Sequence, residues 1–258
     1  MWNDSDVFSI NGEAVNPTAV AVGSHSPSAP QTTVNARTMH FTNMGGYVFI
    51  RTNADGSDKD GNILSYAKVT NPFIENGDSQ YISSSEKEKM LATKRSFLEI
   101  TFNHGKGNDS LDGKYAYVYL PNATVQETES YYQNQQVAIL SKDSSLHAVL
   151  ETELGVLGCI FFEDTELEIS HEKSPISSIK AETPCAVMIS KNADGSYTIS
   201  LSDPTQTYSN VKLSFSIDGI SEVVSADAGV NASISGSTVT LNASTKGMIG
   251  QTLNLIIK

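Results

Sequence analysis

A period of two is the feature that most constrains this chain. In "NVKLSFSI" the apolar side chains are Val211, Leu213, Phe215 and Ile217, and "GSYTISLS" repeats the pattern at Tyr197, Ile199 and Leu201 with Ser and Thr between them. "RSFLEITF" places Leu98, Ile100 and Phe102 on one face, and "TVTLNA" and the terminal "TLNLIIK" alternate in the same way. Successive side chains of a strand point to opposite faces, so the alternation predicts half-buried antiparallel strands. "NADGS" occurs at Asn53 and again at Asn192; each Asp-Gly pair tolerates positive φ and predicts a hairpin. Helix signals are confined to "SSEKEKMLATK" from Ser84 and "TVQETESYYQNQ" from Thr124. Each opens with a Ser/Thr-x-x-Glu capping box, and each predicts one short helix between strands.

Charge then excludes whole classes of partner. The formal net charge is −12, whereas a phosphate backbone must be met by clustered Lys and Arg, so nucleic acid is excluded as a partner. Up to Ser170 the chain has 11 basic and 22 acidic residues, and after it 6 and 7. Seven acids fall between Glu151 and Glu172, a run that reads as a solvated face and would repel a polyanion. No segment approaches the roughly 20 apolar residues of a membrane span. "MWNDSDVFSI" has neither a basic nor an apolar leader region, so no signal peptide is expected in this chain. That leaves a cytoplasmic protein, or one whose leader lies outside these residues.

A boundary is expected at residues 165–182, where "EDTELEISHEKSPISSIKAETP" combines acids, serines and two prolines without an apolar period. It separates two β domains, 1–170 and 171–258; the first is larger than an ordinary seven-strand sandwich.

Individual residues give little chemistry. The histidines at 25, 40, 104, 147 and 171 have no zinc-type spacing, and Cys159 and Cys185 form no C-x-x-C, so no metal is expected. The two cysteines lie in the apolar runs "VLGCIFF" and "PCAVMI" and read as buried free thiols, with a single bridge as the alternative. Asp55, Asp58 and Asp60 could offer oxygens to calcium, but their loop lacks the alternation and closing Glu of an EF-hand, and a solvated hairpin is the default. No Ser, His and Asp set can be assembled, and no carboxylate stands in an apolar context that would raise its pKa. No catalytic residue, no metal ligand and no cofactor is therefore assigned. Trp2 is the sole Trp, and no sugar-stacking platform is visible. His104 could be a catalytic imidazole, a metal ligand or part of a strand end.

A resemblance narrows the choice. "RSFLEITFNHGKGNDSLDGKYAYVYLPNATVQETESY" resembles a segment of the polysaccharide lyase family 8 enzymes, the hyaluronate, chondroitin AC and xanthan lyases, in which a strand ends in His-Gly and a "YAYVLLPGA"-like strand runs into a short helix. "MHFTNMGGYVFI", "SSLHAVLETELGVLGCIFFED" and "ETPCAVMISKNADGSYTISLSDPTQ" resemble further family stretches in the same order, together covering most of residues 39 to 217. The resemblance implies an all-β chain: part of a large antiparallel β super-sandwich over 1–170, then a smaller C-terminal β-sandwich over 171–258. It implies β-elimination on a uronic-acid polysaccharide as the parent chemistry, and an extracellular or periplasmic location. The family's catalytic Asn, His, Tyr and Arg sit in an N-terminal helical toroid, and a supporting Glu early in the super-sandwich. Neither region is found here, so no catalytic residue is carried over, and the implied partners are that helical domain and, through it, the acidic polysaccharide. In these enzymes the His-Gly pair ends a strand away from the catalytic set, which makes a structural role the expectation for His104. One departure is local: Gly45-Gly46 stands where the family commonly has one Gly.

Two functions follow as expectations: the non-catalytic β portion of a polysaccharide lyase, or a stand-alone glycan- or protein-binding β protein derived from one.

Overall fold

Burial follows the alternation. In the computed structural model, which describes residues 7–16, 19–20, 32–50, 63–70, 83–92, 96–102 and 115–258, Val211, Leu213 and Phe215 are at most 2% exposed. Asn210 and Lys212 beside them face solvent. The chain divides into two units, Met1–Gln135 and Gln136–Lys258.

The first unit contains strands β1 (Phe8–Ile10), β2 (Glu13–Val15), β3 (Ala19–Val20), β4 (Thr32–Asn35), β5 (Thr38–Phe41), β6 (Gly45–Phe49), β7 (Ile63–Thr70), β8 (Ser96–Phe102) and β9 (Tyr117–Pro121). One sheet runs β2-β1-β5-β6-β9, and in a second β7 is flanked by β3, β4 and β8. Phe8, Met39 and Phe49 of the first sheet share one core with Leu64 and Tyr66 of the second, against which Leu98, Ile100 and Phe102 pack. Two sheets burying one apolar layer between them make a sandwich. The β3–β7 pair is parallel; the other pairs described are antiparallel.

Helix α1 (Ser84–Ala92) and helix α2 (Val125–Gln133) are the two read from sequence. Their capping boxes differ in position. At α2 the Thr124 N–H donates to the Glu127 carboxylate at 2.8 Å and the Glu127 N–H returns a bond to Thr124 Oγ1 at 3.2 Å. At α1 the reciprocal pair is Ser83 with Glu86, at 3.1 and 3.3 Å, so Ser83 caps the helix that begins, as read from sequence, at Ser84. Helix α2 is pinned to the first sheet. The Thr38 hydroxyl donates to the Glu129 carboxylate, and His40 Nε2 donates to the Ala123 carbonyl at 2.9 Å.

The second unit is a sandwich of seven and five strands. Its strands are β10 (Val137–Lys142), β11 (Leu146–Glu151), β12 (Val156–Phe161), β13 (Thr165–Glu168), β14 (Ser178–Ala181), β15 (Cys185–Lys191), β16 (Tyr197–Ser202), β17 (Asn210–Ser216), β18 (Val223–Ala226), β19 (Val230–Ser235), β20 (Thr238–Ser244) and β21 (Leu253–Ile257). The larger sheet runs β10-β11-β12-β15-β16-β21-β18 and the smaller β13-β14-β17-β20-β19. Leu150, Leu157 and Ile199 of the larger sheet meet Ile179, Phe215 and Leu241 of the smaller in one core. Each such side chain contributes about 1.5–3 kcal/mol by leaving water.

The packing therefore divides near residue 135, not at 170. Strands β10 to β12 pair into the sheet completed by β15, β16 and β21, while 165–182, read from sequence as a linker, supplies β13 and β14 to the facing sheet. Its acids mark an edge strand. Glu166 and Glu168 of β13 are exposed, and charge on an edge strand blocks pairing with other chains.

Candidate functional site

Asp55, Asp58, Asp60, His25 and His104 lie outside the described residues. Of the other histidines, His40 lies on β5, His147 on β11 and His171 between β13 and β14. His40 donates from Nε2 to Ala123 while its Nδ1 is buried with no hydrogen-bond partner among the described residues. The exposed His147 ring stands edge-on to Phe162 at 5.1 Å. His171 Nδ1 accepts the Lys173 N–H at 3.2 Å. Among the described residues no group of three His, Cys, Asp or Glu side chains could hold a metal.

Cys159 and Cys185 are both free and buried. They sit on the adjacent strands β12 and β15, Cys159 opposite Val187 and Cys185 opposite Phe161. Burial pushes both thiols up to about 12, with Cys159 and Asp203 adding to the effect at Cys185. Neither is a thiolate at neutral pH, and only the thiolate is a nucleophile.

The displaced carboxyls move the other way. Hydrogen bonds from the Ser83 hydroxyl and N–H hold Glu86 below its ordinary value, and the Thr124 N–H and hydroxyl do the same at Glu127. The Ser196 hydroxyl and N–H lower Asp194. At Asp203 burial pushes the carboxyl up, but bonds from Thr205, Tyr208 and Gln206 outweigh it and hold it low. All four close caps or turns, whereas a general acid needs a raised value.

The surface does offer one cleft built from three loops of the second unit. Its volume is about 700 Å³, and its walls include Glu153 and Leu154 of the β11–β12 turn, Glu172 and Lys173 before β14, and Lys191 and Tyr197 where β15 passes to β16. Each wall is held locally. In the first turn the Glu151 carboxylate accepts the Leu154 N–H, and Gly155 takes φ +63°. In the second, the Ser174 N–H donates to the His171 carbonyl at 2.9 Å. In the third, Gly195 takes φ +84° and its N–H donates to the Asn192 carbonyl at 3.0 Å, so "NADGS" at Asn192 is the hairpin turn its sequence predicts. That turn sets Lys191 opposite Tyr197, with the ammonium 5.6 Å from the ring centroid. A smaller cleft of about 260 Å³ shares Ser174, Pro175 and Tyr197 and adds His171 and Asp218.

A second feature eluded the sequence reading. Tyr117 and Tyr119 of the edge strand β9 are 48% and 42% exposed, and their rings lie 5.6 and 4.8 Å from that of Tyr47. The Tyr119 hydroxyl donates to the Met44 carbonyl at 2.9 Å. The signal was the alternation of tyrosine in "YAYVYLP"; overall aromatic content dilutes it.

The chain is similar to known proteins over part of their length. Residues 138–212 match the description "Polysaccharide lyase family 8, C-terminal beta-sandwich domain". A hyaluronate lyase of Thermasporomyces composti is 26% identical over 97% of this chain and 28% of its own length. A xanthan lyase of Bacillus sp. strain GL1 is 25% identical over 69% of this chain and 18% of its own. Among solved structures, a Paenibacillus xanthan lyase superposes with a TM-score of 0.71 at 22% identity, over 98% of this chain and 22% of that one. The chain thus spans less than a third of each of these relatives.

Proposed function

We propose, from the match of residues 138–212 to the C-terminal β-sandwich domain of polysaccharide lyase family 8, that the chain is the non-catalytic β portion of an enzyme that cleaves uronic-acid polysaccharides of the hyaluronan, chondroitin or xanthan type by β-elimination. In that reaction a base takes the C5 proton, its electron pair forms the C4–C5 double bond, and the C4–O bond breaks as an acid protonates the departing oxygen. Both proton-transfer groups must titrate near the working pH. What carries the reading is the match of residues 138–212 to that family's C-terminal β-sandwich domain; beside it, the displaced groups described here have moved away from that range, four carboxyls down and two thiols up. Their geometry serves turns, caps and core. On this reading proton transfer belongs to a helical domain, the β units support it, and the acidic polysaccharide is met through it. Such a polymer is too large to enter a cell, so the enzyme works outside the cytoplasm.

A second reading is favoured by the Tyr197 cleft and the exposed tyrosines of β9, both of which present aromatic side chains at the surface. It makes the chain a stand-alone glycan- or protein-binding protein derived from such a lyase. The coding sequence upstream of Met1 discriminates between them. The first reading expects an in-frame region of amphipathic helices carrying Asn, His and Tyr; a stop codon and a ribosome-binding site immediately upstream would establish the second.

A further inference from the structure

Strand β9 ends the sheet β2-β1-β5-β6-β9, and among the described residues no strand lies beyond it. The hydrogen bonds at its two ends fix which backbone groups are used. The Ile50 N–H donates to the Ala116 carbonyl and the Asn122 N–H to the Met44 carbonyl, each at 3.1 Å. In an antiparallel pair, residues alternate between turning both backbone groups to the neighbour and turning both away, so Val118 and Leu120 bond to β6 while Tyr117 and Tyr119 present theirs outward. Pro121 also falls in the outward set, where its missing N–H costs nothing. The rings continue the core face of the sheet: Tyr117 stands opposite Phe49 and Tyr119 opposite Tyr47. Yet Tyr117 and Tyr119 are 48% and 42% exposed, and Tyr115 beside them 52%. Edges are ordinarily guarded by charge. The far edge of this sheet, β2, has an exposed Glu13, and β13 has Glu166 and Glu168, whereas no charged residue occurs from Tyr115 to Gln126.

We propose that β9 is a self-pairing edge through which two copies of this chain associate about a two-fold axis at Val118, joining their five-stranded sheets into one. In that register Tyr117 of each copy lies opposite Tyr119 of the other. Both residues face outward, so each pair exchanges both backbone bonds, and the rings meet as cross-strand aromatic neighbours. Moving the axis to Tyr119 would set Tyr117 against Pro121, which has no N–H to give. The occupant is a second copy because the edge asks for an extended, uncharged strand with aromatic residues at alternate positions, and β9 antiparallel to itself supplies one with no carboxylate at the contact. Helix α2 leaves room for it. The helix rests on β5 and β6; three strand spacings, about 14 Å, separate the two copies of β6, and a helix is roughly 10 Å across. The contact is small: three half-exposed tyrosines offer roughly 300 Å² per copy, and with the strand backbone the total is about 1,000 Å², the size of a weak, reversible dimer. The net charge of −12 on each copy opposes it, over a range that salt shortens. Each β9 is used once and β2 is guarded, so association closes at two.

The test is sedimentation velocity on the full chain from about 10 to about 500 µM, in roughly 50 mM and roughly 500 mM salt. The expected result is a monomer–dimer equilibrium with a dissociation constant on the order of 100 µM, tightened about two- to tenfold by the higher salt. Tyr117→Pro removes an outward N–H that the single copy does not use and is expected to weaken the dimer by about tenfold or more. Tyr117→Phe, which keeps both edge and ring, is expected to stay within about twofold. Amide exchange on the unaltered chain reads the same contact without a variant. The Tyr117 and Tyr119 amides are expected to slow about two- to fivefold between the lowest and highest concentrations, with Val118 and Leu120 protected at both. A chain that is monomeric throughout, a dimer that salt loosens, a dimer that Tyr117→Pro leaves intact, or exchange at Tyr117 and Tyr119 that does not change with concentration overturns the proposal.

Discussion

Asp203→Ala is expected to lower the stability of the second unit by about 3–4 kcal/mol, read as a fall in the urea midpoint with unchanged slope. Asp203 is 2% exposed. Its Oδ1 accepts the Thr205 N–H at 2.9 Å, the Thr205 hydroxyl at 2.6 Å and the Gln206 N–H at 3.1 Å, and its Oδ2 accepts the Tyr208 N–H at 2.8 Å. One carboxylate thus closes the whole connection from β16 to β17, and alanine leaves three backbone donors without it. The pH dependence has a definite sign. Burial raises the carboxyl and the hydrogen bonds more than reverse this, so its folded value is depressed. Its contribution is complete above the unfolded carboxylate value of about 3.9 and is lost as pH falls through the folded value. The deficit of the variant is therefore expected to be constant from pH 5 to 8 and to shrink below pH ~4. A deficit under 1 kcal/mol, or one that grows in acid, would contradict this role.

Gly46→Ala is the second large effect, about 3 kcal/mol in the first unit. A Cβ at Gly46 would lie 2.0 Å from Thr128 Oγ1, 2.5 Å from its Cγ2 and 2.8 Å from its Cβ. Thr128 is 1% exposed on the buried face of α2 and short, with no flexible end to swing aside. The helix itself must lift, and with it the Thr38–Glu129 bond. Pairing Gly46→Ala with Thr128→Ala removes two of the three close atoms and is expected to recover more than half of the loss in a double-mutant cycle. Gly195→Ala is the control. Nothing lies within 4 Å of its Cβ position, so only the left-handed φ is penalised, by about 1 kcal/mol. Additive single effects at 46 and 128 would rule out the close approach of helix and sheet.

The same geometry accounts for the doubled glycine in "NMGGYVF". Gly45 has φ +127° and a Cβ there would stand 2.2 Å from the Leu120 carbonyl oxygen; Gly46 makes room for Thr128. Each position has its own reason, and the first sheet keeps its pairing through both.

The strands were legible in the sequence because alternation reports directly which face is buried. The inward residues read at 197–201, 211–217 and 253–257 are those that fill the core. The α2 box was legible because both members of the reciprocal pair lie within four residues. What alternation does not report is the partner of a strand. Strand β12 pairs with β15 across the whole of 165–182, so a stretch of charge and proline that interrupts the apolar period looks like a domain border while it crosses from one sheet to the other. The cleft was hidden for a related reason. Glu153, Lys173, Lys191 and Tyr197 come from three loops, and none has a spacing that would single it out. The alternation of Tyr117 and Tyr119 marks one face of β9 but does not tell whether that face is core or, as here, an exposed sheet edge.

We propose that these residues form the sheet-bearing support of a β-eliminating enzyme and do not themselves move protons. The most direct measurement is ultraviolet absorbance of the unsaturated uronate during prolonged incubation of the purified chain, at high concentration, with hyaluronan, chondroitin and xanthan in turn. The expected result is no increase above the polysaccharide alone at any pH from 5 to 9. Sustained absorbance growth proportional to the amount of chain, and abolished by substitution of one of its own residues, would contradict the claim.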